Sequence, residues 1–106
     1  IVVEGAADEG GDAGLEALPK KVVLEAPAPN PVQERATIEY ALPEAQEVRL
    51  TVYDVLGREV AVLVNERQKA GRKQVRVDAS QWSSGTYFYR LEAKEATKTD
   101  RLTVVQ

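Results

Sequence analysis

Residues 36–64 read ATIEYALPEAQEVRLTVYDVLGREVAVLV. Ala36, Ile38, Tyr40 and Leu42 alternate with Thr37, Glu39 and Ala41, the period-two pattern of a half-buried strand. Pro43-Glu44-Ala45 turns the chain, and Val48, Leu50 and Val52 then alternate with Arg49, Thr51 and Tyr53. Asp54 and Gly57 stand where a type I turn places its carboxylate acceptor and its positive-φ residue. With Gly57 left-handed, the reading is a type I turn closed by a G1 bulge. Glu59–Val64 is a continuous apolar run whose buried face stays ambiguous. Two alternating runs joined by turn chemistry specify antiparallel strands, not helices.

Working outward, Val22-Val23-Leu24 reads as a first strand. Pro27, Pro29 and Pro31 then hold the chain extended, because proline fixes φ and biases its predecessor to β geometry. Val75 and Val77, then Tyr87, Tyr89 and Leu91, alternate with polar or outward residues. Leu102 and Val104 close a last strand that follows Lys94–Lys98. Seven short strands with turn signals between them predict an all-β, seven-stranded antiparallel sandwich.

The 106 residues, 43% hydrophobic and 29% charged, fit one soluble globular domain with a modest core. Cys, His and Met are absent, which excludes disulfides, thiol chemistry, Cys/His zinc sites and Ser-His-Asp catalysis. No cofactor and no catalytic residue is expected. No apolar run approaches membrane-spanning length, so no direct membrane insertion is expected. The sequence starts with Ile, and the short Ile1-Val2-Val3 run makes no signal peptide; it reads as a fragment of something longer.

The net charge of −3 is uneven: residues 1–20 carry −4, and residues 21–106 carry +1. Neither part has the overall charge of a nucleic-acid binder. The stretch GAADEGGDAGLEA at 5–17 is Gly/Ala/acid-rich and aperiodic, so residues 1–20 read as a flexible acidic linker or the tail of an upstream domain. The sandwich then occupies 21–106.

Several clusters invite a chemical reading. Asp54 and Glu59 could be an acid/base pair, but that work needs carboxylates converging in a cleft, and a turn tip is the wetted end of a hairpin. Asp8-Glu9-Gly10-Gly11-Asp12 suggests calcium but lacks the EF-hand pattern and its glutamate at the twelfth position; solvated linker fits better. Arg67, Lys69, Arg72, Lys73 and Arg76 form a basic run around a turn at Ala70-Gly71. It is either a patch for an acidic partner or an anionic polysaccharide, or a solvated hairpin whose charges block edge aggregation, and the solvated hairpin is favoured. Trp82 and Tyr87-Phe88-Tyr89 could stack on sugars, yet Tyr87 and Tyr89 share a strand face with Leu91, which argues for core. One of the two tyrosines fits a tyrosine corner, and Trp82 fits a plug at the sandwich end.

Taken in order, these stretches resemble a family: the type A C-terminal sorting domain of proteins exported by the type IX secretion system. The matching elements are Leu24-Glu25 with Pro29-Asn30-Pro31, Thr37 to Pro43, Val48 to Val64, Ala70-Gly71, Asp78-Ala79-Ser80, and Ser84 to Leu91. A closing strand with Lys98, Arg101, Leu102 and Val104 completes them. The resemblance covers about residues 22–106. Val32-Gln33-Glu34-Arg35, Trp82 and the ending Val105-Gln106 depart from the family's usual residues.

The resemblance implies an immunoglobulin-like sandwich that serves as an address rather than a catalyst. Its partners would be a fused N-terminal cargo, the outer-membrane translocon with its shuttle, and a cell-surface sortase that cuts in the preceding linker. The cargo would then be secreted or held at the cell surface. The family's recognition positions correspond to Ser84, Gly85, Thr86, Tyr87, Lys98 and Arg101, while Asp54, Gly57 and Gly71 build turns. A similar module occurs in the flagellar hook-capping protein, so function has to be argued apart from fold. The rival reading is a surface adhesion or carbohydrate-binding module retained on a secreted enzyme.

Overall fold

Period-two alternation becomes a strand wherever it recurs. The computed structural model describes residues 19–94 and 96–106. Its seven strands are β1 (Val23–Leu24), β2 (Arg35–Leu42), β3 (Gln46–Tyr53), β4 (Glu59–Gln68), β5 (Gly71–Asp78), β6 (Gly85–Glu92) and β7 (Thr97–Val104). They form a three-stranded sheet ordered β1-β2-β5 and a four-stranded sheet ordered β4-β3-β6-β7, with every named pairing antiparallel. In the constant-type immunoglobulin arrangement the fourth strand lies beside the fifth. Here it lies beside β3, so the molecule is an immunoglobulin-like sandwich whose fourth strand has changed sheets.

The inward residues of both sheets make one core. Ile38, Leu42, Leu50, Val52, Val75, Val77, Tyr89, Leu91 and Leu102 are fully buried. Each buried Leu, Ile or Val contributes about 1.5–3 kcal/mol of transfer free energy. The ambiguous run at 59–64 resolves through irregular pairing. Leu50 pairs with Val64 and Thr51 with Val62, so Leu63 is an extra residue in β4. That bulge breaks the alternation of β4, and the consecutive Leu63 and Val64 both bury.

The proline segment crosses from one sheet to the other. Ala28 bridges Thr37 of β2, and Val32 bridges Val104 of β7 in parallel. Residues 29–31 bend between those contacts instead of running extended, with cis bonds before Pro29 and Pro31. The link between β4 and β5 also differs from the expected hairpin. The two strands lie in different sheets, so Lys69-Ala70 carries the chain across the sandwich. β7 begins at Thr97, so Lys98 lies inside the last strand rather than before it. The linker assignment to residues 1–20 and the acidic cluster at 8–12 fall outside the described residues, apart from Pro19 and Lys20.

Candidate functional site at the β3–β4 corner and the closing strand

The corner begins with Asp54. Its backbone N–H donates to Arg58 O at 2.9 Å, and Gly57 N–H donates to Asp54 O at 3.0 Å, closing the type I turn. One carboxylate oxygen accepts from Leu56 N and Arg58 N, both at 2.9 Å; the other accepts from Arg58 Nε at 2.9 Å. Gly57 has φ +84°, as the turn requires. The Arg58 backbone bond is the largest of the contacts that hold the Asp54 carboxyl below its usual pKa. Glu59 points to a different partner, Arg49 Nη2 at 3.1 Å. The two acids therefore do not converge, and Asp54 is held ionised by its own turn. Gly71 also has positive φ, +124°, where β5 starts.

At the start of β6, Tyr87 O–H donates to Ser83 O at 2.7 Å. A Tyr near the start of the sixth strand, bonded a few residues upstream, is the tyrosine corner of this fold. Trp82 is half-buried and stacks on Tyr87 with ring centroids 5.1 Å apart and planes tilted by 39°. It closes the end of the sandwich as expected. Tyr89 is fully buried, and its O–H donates across the sheets to Glu25 O at 2.8 Å. Burial pushes the Tyr89 phenol above its ordinary pKa. Tyr87 and Tyr89 are thus core residues, and only Phe88 of that triplet faces out.

The predicted recognition residues divide by strand geometry. Ser84 and Gly85 are exposed, Thr86 is half-buried and the Tyr87 side chain is buried. On β7, Lys98 pairs with inward Leu91 and Arg101 with outward Phe88. The two bases are three residues apart, so their side chains leave β7 on opposite faces. Both are exposed.

Gln106 is a tie that sequence patterning did not reveal. Its N–H donates to Ser84 Oγ at 2.9 Å, and its Nε2 donates to Ala79 O at 2.6 Å and Trp82 O at 2.9 Å. Ser84 thus helps to moor the strand beyond β7. No periodicity marks a residue outside the last strand, so no sequence signal was available.

The basic run splits as well. Arg67, Lys69, Arg72 and Arg76 are exposed, but Lys73 is only 1% exposed and lies opposite Tyr40 between the sheets. Desolvation lowers the Lys73 pKa. The alternation Lys73, Val75, Val77 already carried that signal. Nearby, the Tyr40 hydroxyl donates to Gln68 Oε1, and Gln68 Nε2 donates to Glu66 Oε2 at 3.1 Å. A separate open concavity of about 530 Å³ is lined by Pro29, Pro31, Gln33, Glu34, Arg35 and Val105. It includes none of the predicted site residues.

Residues 28–105 match the family described as the secretion system C-terminal sorting domain. No curated protein matches the chain. Among solved structures, the Ig1 domain of mouse SynCAM 2 is similar, with a TM-score of 0.43 and 10% identity over 82% of this chain and 95% of that one.

Proposed function

The chain belongs to the family of secretion system C-terminal sorting domains, the address-bearing modules of type IX export, and from that premise we propose how it acts. It directs a cargo fused at its N-terminal side through the outer-membrane translocon. A shuttle and a cell-surface sortase act on it in turn, and the sortase cuts in the linker before the sandwich. The cargo is then released or held on the cell surface. The sandwich over 21–106 keeps the signal in shape, and Ser84, Gly85, Thr86, Tyr87, Lys98 and Arg101 carry its recognition.

The observation that carries this reading is the extent of the match. Residues 28–105 run from the Ala28 bridge through β7, so six of the seven strands fall within the match and not one motif alone. Ser84, Gly85, Lys98 and Arg101 are available to a partner, whereas Tyr87 acts from within by fixing the corner that presents Ser84 and Gly85. The adhesion reading draws on an aromatic platform, and two of its four aromatics, Tyr87 and Tyr89, are core.

Two measurements test the proposal. Deleting residues 22–106 from the precursor should leave the cargo in the periplasm. Mass spectrometry of the exported cargo should find a C-terminus within residues 1–25. Export that survives the deletion, together with lost polysaccharide binding, would favour the adhesion module instead.

A further inference from the structure

Four large hydrophobic side chains are well exposed among the described residues, and three of them sit on the β3–β4 corner or next to it. Val55 is 65% exposed and Leu56 is 74% exposed, at the two central positions of the turn. Phe88 is 37% exposed on the outer face of the four-stranded sheet, directly opposite Tyr53, the residue that leads into the turn. Arg90 lies over the Tyr53 ring at 4.8 Å and fixes it with a hydrogen bond to the hydroxyl. Turn chemistry explains Asp54 and Gly57 but not Val55 and Leu56. The central positions of a type I turn accept most residues, and two hydrocarbon side chains in water there gain no burial.

We propose that Val55 and Leu56, flanked by Phe88, form a preorganised apolar knob that docks into a pocket on a protein partner bearing carboxylates near Arg101. Two features favour this occupant. The first is rigidity: five hydrogen bonds within residues 54–58 fix the knob before any partner arrives, so little ordering remains to be done on binding. The second is charge. Arg58 is neutralised by Asp54 at 2.9 Å and Arg49 by Glu59 at 3.1 Å, so the knob lacks the cluster of unpaired bases that draws a segment to an anionic lipid surface. Arg101, opposite Phe88, is exposed and has no ion pair among the described residues, which leaves it for a partner's carboxylate. The proposal rests on the sorting reading and deepens it: the partner is a protein that the cargo must meet on its way out.

The test uses the whole chain fused behind a folded reporter in a bacterium with a type IX system. The variants are Val55→Ser with Leu56→Ser, Phe88→Ser, and Arg101→Glu; all leave Asp54 and Gly57 in place. Purified variants should keep the parent's melting temperature. Export of the double serine variant should fall about tenfold or more, the scale of a lost interface anchor. Phe88→Ser and Arg101→Glu should fall by less, and Arg101→Lys, which keeps the charge, should fall by less than Arg101→Glu. A parent fusion that is not exported refutes the sorting reading itself. A parent that is exported as well as the folded double serine variant refutes the knob alone. Two other results would also overturn the knob's assignment. One is Val55- and Leu56-dependent binding to phosphatidylcholine/phosphatidylglycerol vesicles. The other is self-association of the chain that is lost in the double variant.

Discussion

At the scale of single residues, Gly57 and Asp54 do different work in one turn. A Cβ built on Gly57 meets nothing within 4 Å, so substitution there costs backbone strain and not a clash. Gly57→Val should therefore destabilise by about 1–2 kcal/mol, because a β-branched residue resists φ +84°. An unchanged melting temperature would mean that the turn is not needed. Asp54 acts through its charge. Its folded pKa lies below the unfolded value of 3.8, and so does that of Asp78, whose carboxylate accepts from Ser80. A lowered carboxylate pKa gives stability that is complete above the unfolded value and is lost as pH falls through the folded one. Urea midpoints measured from about pH 5 to about pH 2 should therefore drop less steeply in Asp54→Asn than in the parent. A parallel curve would remove Asp54 from the acid transition. The Arg49–Glu59 pair is exposed at both ends and should contribute less than about 1 kcal/mol.

At the scale of elements, the corners are where the strands are pinned. Tyr87→Phe removes one hydrogen bond to Ser83 O and leaves the Trp82 stack, so it should cost about 1 kcal/mol. Amide exchange should quicken first around residues 79–85, where the bond is made. Uniform loss of protection would instead mean that the corner belongs to the global core. Leu63 is the opposite case: it is an extra residue in β4, yet fully buried. Leu63→Ala should cost about 2–5 kcal/mol, like any large core truncation. A cost under about 1 kcal/mol would show that the bulge can slip and present Val62 instead. The strands themselves were legible because alternation has one meaning on a pleated backbone. The bulge was not, since a continuous apolar run looks the same in every register.

At the scale of the whole molecule, two facts lay beyond local pattern. Nothing in RQKAGRKQVR separates a hairpin from a passage between sheets, because that choice depends on where β5 finds its partner. β5 pairs along its full length with β2, eight residues in register, so the chain must leave β4 and cross. The same pairing turns Lys73 inward beside Tyr40 while Arg72 and Arg76 stay outside. Likewise, Lys98 and Arg101 read as neighbouring bases in sequence, and only strand geometry puts them on opposite faces of β7. The ordered motifs did carry the family, since the spacing of strand, turn and corner is itself the sandwich.

The sorting role is tested most directly by sufficiency. An unrelated folded reporter, given an N-terminal inner-membrane leader and this chain at its C-terminal side, is expressed in a bacterium with a type IX system. Its distribution between periplasm and exterior is then measured. A sorting domain should carry most of the reporter to the cell surface or medium, and should lose it to the periplasm when the translocon is inactivated. A reporter that stays in the periplasm although the fused chain is folded and intact would contradict that role.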